Sequence, residues 1–403
     1  MTSSFTRAAS RTTRAVRAGI ETDQQHGAVV PPLHLSSNYA FAGLGQKREY
    51  DYTRSGNPTR NDLALALAHL EGGAGAVVTS SGMAALNVLV QLLEPGDVFV
   101  VPHDCYGGTY RLYEALARKA HFEVLFVDQT DDAALHAAIA RRPKIILTET
   151  PSNPLLRIVD IVKVAKLAQS CGALYAVDNT FLSPALQQPI SLGADIVIHS
   201  TTKYLNGHSD IVGGAIIAAT NDLHERLDWW ANCIGATGAP FDSFLTLRGI
   251  RTLHLRIRQH EESASLLAHV LVEHPNVNKV FYPGLEGHDG HELAQRQQSG
   301  FGGMLSFEID GGQTAVRAFV ENLELFSLAE SLGGVESLVC HPATMTHAPV
   351  NEEALQAAGI SRTLIRLSVG LESTDDLLAD ILSALEVADR AARLTSVAVR
   401  RSL

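Results

Sequence analysis

The 403-residue sequence predicts an α/β fold, with a mostly parallel sheet in a large domain and a smaller C-terminal α/β domain. Two patterns carry this. Short apolar runs without strict alternation, such as Val98-Phe99-Val100-Val101 and Ile145-Ile146-Leu147-Thr148, are separated by stretches of helical apolar spacing. Strands buried on both faces and joined by helices read in this way. After Arg248-Gly249-Ile250-Arg251 the texture changes to one long helical stretch and then shorter elements.

The elements follow in order. Ala76–Thr79 reads as a strand and leads to a helix over Gly82–Leu93. Pro95-Gly96-Asp97 turns the chain into the strand Val98–Val101. A helix over Tyr110–Ala120, a strand at Val124–Val127, a helix over Ala133–Ala140 and a strand at Ile145–Thr148 come next. Apolar spacing predicts a helix over Ile158–Ser170, then strands at Leu174–Val177, Ile196–Ile198 and Ile211–Ala218. A long helix, Thr252–Glu273, opens the second part. Strands near Lys279–Pro283, Gly303–Ile309 and Leu364–Val369 follow, with helices near Ala315–Leu323 and Asp375–Leu394. We divide the chain into an arm (1–60), a large domain (61–255) and a small domain (256–403). There is no internal repeat and no low-complexity linker.

Composition narrows the function. Lys plus Arg is 32 against 43 Asp plus Glu, a net charge of −11 without a basic block, which argues against nucleic acid as the main partner. Cys105, Cys171, Cys233 and Cys340 form no CxxC pair, which suggests free thiols in a reducing compartment. No uncharged apolar run reaches the ~18 residues of a membrane span, so a soluble, cytoplasmic chain is expected. Arg7, Arg11, Arg14 and Arg17 lie among Ser, Thr and Ala with no acid before Glu21. That composition fits a solvated arm, with an organelle presequence as the alternative. None of the 17 histidines forms a metal-like HxxxH cluster with acids, and His208, His341 and His347 in Gly- or Pro-containing loops read as structural.

In open parallel sheets ligands bind at the carboxyl ends of the strands. The informative polar residues sit there: Ser80-Ser81-Gly82, His103-Asp104, Glu149, Asp178 and Ser200–Lys203. Lys203 follows an apolar strand and two hydroxyls in His199-Ser200-Thr201-Thr202-Lys203. A lysine so placed suits a Schiff base to a phosphorylated aldehyde, with Ser200 and Thr202 donating to the phosphate. Twenty-five residues upstream, Asp178 ends another apolar strand. Pyridoxal 5'-phosphate (PLP) needs both groups, a lysine for its aldehyde and an acid for its ring nitrogen. Lys203 could also shuttle protons at substrate carbons. Ser81-Gly82-Met83 lies at a strand-to-helix junction, where exposed amides can hold a phosphate. In Tyr106-Gly107-Gly108 the ring either stacks on a flat cofactor or packs in the core. Arg366, between apolar neighbours on a strand, is either a partner for a substrate carboxylate or half of a structural ion pair.

Together these residues resemble the Cys/Met-metabolism family of PLP enzymes. The lysine block Asp195–Ser209 fits the family signature, and further matches are Tyr52–Arg60, Leu70–Gly73, Tyr106–Thr109, Glu149–Pro154 and Leu328–Gly334. The resemblance implies a fold-type I enzyme, a homotetramer built from two dimers with each active site at a dimer interface. Tyr52 and Arg54, in the arm, would reach the phosphate of the neighbouring subunit's cofactor. Gly82, Met83, Ser200 and Thr202 would hold the phosphate from within the subunit. Tyr106 would stack on the ring and act as an acid or base, while Asn153, Ser331 and Arg366 would orient the substrate's amino-acid end. Glu330 belongs to the same substrate region.

Within the family, Val29–Ser37, Pro102–Tyr106 and Leu125–Gln129 are similar to the bacterial cystathionine γ-synthase branch. The implied reaction joins O-succinylhomoserine and L-cysteine into L-cystathionine and succinate, a step of methionine biosynthesis. One position departs from that branch. Ser55 stands where enterobacterial-type synthases carry an Arg for the distal carboxylate, and Arg111 keeps the other basic position. One lost carboxylate partner costs about 1.5–3 kcal/mol. O-acetylhomoserine and the cleavage of cystathionine by a γ-lyase are therefore the alternatives.

Overall fold

The computed structural model describes residues 9–346 and 358–401. His347 and Arg7 lie outside the described residues. Seven strands form the larger sheet: β1 (Gly75–Thr79), β2 (Val98–Pro102), β3 (Glu123–Val127), β4 (Ile145–Glu149), β5 (Leu174–Asp178), β6 (Ile196–His199) and β7 (Gly214–Ala218). Their order is β1-β7-β6-β5-β4-β2-β3. β7 runs against both its neighbours, and the other six strands are mutually parallel. The strands of β1, β2, β4, β6 and β7 are buried along their whole length, because helices cover both faces. One apolar cluster includes Leu63, Val197, Ile217 and Leu247, and another includes Leu86, Phe99, Tyr113 and Ile216.

The second sheet has five strands: β8 (Val277–Phe281), β9 (Met304–Ile309), β10 (Ser327–Leu328), β11 (Leu338–Cys340) and β12 (Leu364–Ser368), in the order β10-β11-β12-β9-β8. Only β10 and β11 pair in parallel. The helices Gly312–Glu321 and Thr374–Arg401 pack together here, and Phe307, Phe319 and Leu377 are buried in this core. Among the described residues no helix is long and apolar enough to cross a membrane.

Several expectations need correction. The arm is not simply solvated. Residues Arg11–Val16 form a helix capped by Ser10, and Ala15 and Ala18 are buried with Leu63 and Leu247. Ala15 in the helix and Ala18 in the turn after it dock this segment, and Arg14 donates to the carbonyl of His69 at 3.0 Å. The helix expected from Ile158 begins at Ile161, because the Asp160 carboxylate caps it through the N–H of Lys163 at 2.9 Å. The helix expected from Tyr110 begins three residues earlier, at Gly107. Helices Pro58–Glu71, Asn221–Ile234 and Pro240–Ile250 were not anticipated. Their start signals are nonetheless in the sequence: Asn57-Pro58, Thr220 and Ala239-Pro240. His208 bonds the carbonyl of Asn206, and His341 lies between Thr344 and the carbonyl of Arg362, which are structural contacts. None of the four cysteines is paired.

Candidate active site

At the carboxyl ends of β1, β4, β5 and β6 the chain encloses a cavity of about 320 Å³. It brings together Gly82, Met83, Tyr106, Asn153, Asp178, Ser200, Thr202, Lys203, Glu330, Ser331 and Arg366. A larger cleft of about 880 Å³, between Lys163 and Lys279, contains none of them.

The floor is built by two strand ends and a helix start. Helix Gly82–Val90 begins directly after β1, and Ser81 caps it by accepting the N–H of Ala84 at 3.0 Å. The amides of Gly82 and Met83 have no acceptor within the helix, as is usual for a first turn. Gly82 has to be glycine here, since a Cβ would stand 2.9 Å from Cβ of Ser200. The same contact brings the helix start against the Ser200–Lys203 loop. Thr202 Oγ1 accepts the N–H of Gly213 at 3.0 Å and donates to its carbonyl at 3.2 Å, tying that loop to the chain entering β7.

Lys203 reaches across the cavity, and its Nζ donates to Ser331 Oγ at 2.7 Å. Burial, reinforced by the Arg366 guanidinium, brings its ammonium down to about 8, with Glu330 acting in the opposite direction. Arg366 comes from β12 of the other sheet and is 3 % exposed. It donates to Asn153 Oδ1 at 2.8 Å and to the carbonyl of Ser331 at 3.0 Å, and its Nε has no partner. None of the ion pairs among the described residues includes Arg366. The structural ion pair is therefore not what it makes.

Asp178 ends β5 and accepts the N–H of Thr180 at 3.0 Å. Burial raises its carboxyl above the ordinary range, against the hydrogen bonds from Thr180 and the nearby His199. Tyr106 is 41 % exposed, so it is not core packing. Its ring edge lies over Gly108, where a Cβ would stand 2.5 Å from it. Glu149, at the end of β4, also lines the cavity, although sequence reasoning gave it no role. The sequence marks it as it marks Asp178, as an acid at the end of an apolar strand, but assigns it no part in the chemistry. Thr180, Phe181 and Thr346 complete the wall without any comparable sequence mark.

Three expected residues lie outside the cavity. Tyr52 is half-exposed. Arg54 stacks over the Tyr52 ring at 5.7 Å and donates to the carbonyl and Oδ1 of Asn232, each at 2.8 Å. Arg111 is exposed on the helix Gly107–Arg118. Ser55 donates to Asp51 Oδ1 at 2.9 Å.

The donor set fits a phosphorylated pyridine aldehyde. Free first-turn amides and two hydroxyls suit its phosphate, the partly buried Asp178 its ring nitrogen, and a desolvated amine its aldehyde. Comparison with known proteins agrees. The family described as Cys/Met metabolism PLP-dependent enzyme matches residues 12–386. The cystathionine γ-synthase of Escherichia coli K12 is 55 % identical over 379 residues, covering 94 % of this chain and 98 % of that protein. A cystathionine β-lyase of Lactococcus lactis is 48 % identical over 374 residues, 93 % of this chain and 98 % of that one. The crystal structure of cystathionine γ-synthase from Xanthomonas oryzae pv. oryzae in complex with cystathionine superposes with a TM-score of 0.94, at 59 % identity over 95 % of this chain and 99 % of that one. The chain belongs to the Cys/Met metabolism family of PLP-dependent enzymes, with the fold and the cofactor of that family.

Proposed function

We propose that the protein joins O-succinylhomoserine and L-cysteine by γ-replacement, giving L-cystathionine and succinate. The observation that carries this reading is the unpaired Arg366 guanidinium, held by Asn153 and Ser331 in the cavity that contains Lys203. A buried cation without an anion is a site for the α-carboxylate of an amino acid. The 55 % identity to a γ-synthase supports the choice of reaction.

PLP bound here supplies an electron sink for charge developing at the substrate Cα. Asp178 keeps the ring nitrogen protonated. The amides of Gly82 and Met83 would hold the phosphate together with the hydroxyls of Ser200 and Thr202. Tyr106 would lie against the ring. Arg366 fixes the α-carboxylate, and so points the Cα proton at the Lys203 amine. With its ammonium near 8, that amine is partly neutral at physiological pH and takes the proton. The amine would then also take a proton from Cβ, so that the electron pair left there expels the acyl group from Cγ as succinate; the sulfur of cysteine, having lost its proton, adds at Cγ, and protons return to Cβ and Cα. Ser331, bonded to Lys203 Nζ, restrains the amine between these steps. Glu330 lies beside the amine at the substrate end.

Cleavage of cystathionine is the second reading, favoured by Ser55 and by the 48 % identity to a β-lyase. Ser55 is bonded to Asp51 and offers no cation to a distal carboxylate. Within the γ-replacement reading, the same lack of a cation at Ser55 makes O-acetylhomoserine, which has no distal carboxylate, the competing ester. Steady-state assays of O-succinylhomoserine with cysteine, against cystathionine alone, separate the two. Fast cystathionine formation with slow release of α-keto acid is expected, and fast cleavage with negligible synthesis would overturn the proposal.

Residues 1–60 form the arm that crosses to a neighbouring subunit in a homotetramer of two dimers. Residues 61–255 carry the cofactor and 256–403 close the substrate end. The position of Tyr52 and Arg54 outside their own chain's cavity supports this. Arg54→Ala and Lys203→Ala chains, each nearly inactive, are expected to complement when unfolded and refolded together. Random pairing leaves about a quarter of all sites with both residues intact, and so returns about a quarter of wild-type turnover. Recovery at the level of the separate variants would place Arg54 and Lys203 in the same site of one chain.

A further inference from the structure

Glu149 and Asp178 are register partners on the parallel strands β4 and β5, so their side chains leave the sheet on the same face. Both line the cofactor cavity. No ion pair among the described residues includes either of them. Glu149 is buried and accepts the backbone N–H of Tyr106 at 3.0 Å through Oε2. Like charges at adjacent register positions in a water-poor site disfavour each other's ionised form.

We propose that Glu149 is the protonated member of this pair: a neutral positioning residue that fixes Tyr106 over the cofactor and leaves Asp178 as the only negative charge beneath the ring. The surroundings favour this division. Facing Glu149 are Asp104, Cys105 and Tyr106 from the segment after β2, Asn153 from its own strand's exit, and Asp178 from β5. The cations in the cavity, Lys203 and Arg366, bond to Ser331 and Asn153 and not to Glu149. Burial raises the Glu149 carboxyl well above the ordinary range, the Asp178 and Asp104 charges add to this, and the backbone N–H groups of Tyr106 and Asn153 offset it only in part. Asp178 is also raised by burial, but two hydrogen bonds from Thr180 and the His199 ring favour its charged form. His199 sits in the fully buried pair with Glu71. With the cofactor in place, a protonated ring nitrogen gives Asp178 a cation that Glu149 lacks. The inference rests on the family's cofactor and not on which sulfur substrate is used, so failure of the γ-replacement reading leaves it standing.

The test compares Glu149→Gln and Glu149→Ala holoenzymes by cofactor affinity, cofactor absorbance and infrared difference spectra against wild type. Gln keeps the shape, the acceptor for Tyr106 and the zero charge. Glu149→Gln is therefore expected to hold the cofactor within about threefold of wild type with an unshifted absorbance, whereas Glu149→Ala loosens it about tenfold or more. The wild-type minus Glu149→Gln spectrum should contain the carbonyl stretch of a protonated carboxylic acid. If it contains carboxylate bands instead, and Glu149→Gln loosens and shifts the cofactor as Glu149→Ala does, Glu149 is charged and the proposal falls. The Gln comparison and its spectrum stand alone should the Ala variant not fold.

Discussion

Lys203→Ala is expected to leave a folded protein that binds PLP without covalent retention and turns over about 10³-fold more slowly. Borohydride followed by mass spectrometry should fix the cofactor on wild-type protein and release it from the variant. The fold should survive because Lys203 makes a single side-chain bond, to Ser331, and lies in a loop outside the strand ladder. In the wild-type apoprotein, the rate of reaction with the cofactor aldehyde should rise with pH through about 8, since only the neutral amine attacks and burial has brought its ammonium down to that value. A midpoint near that of an exposed lysine, about 10.4, would mean that the amine is not desolvated in solution.

Arg366→Ala is expected to lower kcat/KM for the amino-acid substrate by about 100-fold, mainly through KM, because truncating one partner of a buried charge pair costs about 2–5 kcal/mol. Arg366→Lys should recover only part of this, since an ammonium cannot reproduce the fork held by Asn153 and Ser331. The same substitution to alanine also removes a cation that disfavours the charged amine, so the midpoint for Lys203 should move upward from about 8. Steady-state kinetics and the apoprotein pH profile read the two effects separately. A kcat/KM within threefold of wild type would show that the carboxylate binds elsewhere.

Much of this was legible in the sequence, for a physical reason. The parallel strands are apolar over their whole length, so the first polar residue at each carboxyl end stands out, and ligands collect at those ends. Asp178, Ser200 and Lys203 were found in this way. Arg366 was legible as a lone charge inside β12, but its partners were not, because Asn153 and Ser331 reach it from segments far away in sequence. Pattern reading could not choose between its two roles; among the described residues Arg366 enters no ion pair, which speaks against the structural one. Glu149 was legible as a strand-end acid, but no role could be read for it, because its pairing with Asp178 exists only once β4 and β5 lie in register. The docked helix at Arg11–Val16 was hidden by its four-arginine neighbourhood, where composition spoke of solvent and two alanines decided the packing.

The reversed direction of β7 has a mechanical meaning. Parallel neighbours must be joined by a crossover, but β6 and β7 are antiparallel, so the segment that bears Lys203 leaves one strand and returns on the next. Both of its feet stand on the same sheet, and Thr202 pins them together through Gly213. The Lys203 nitrogen, the reacting atom of the proposed function, is thereby fastened to the same sheet as the proposed phosphate site. Arg366, by contrast, rides on the other sheet. Under the proposed function, the span between the Lys203 amine and the Arg366 guanidinium is thus a gauge with one fixed jaw and one set by how the two sheets meet, sized to the backbone of an amino acid.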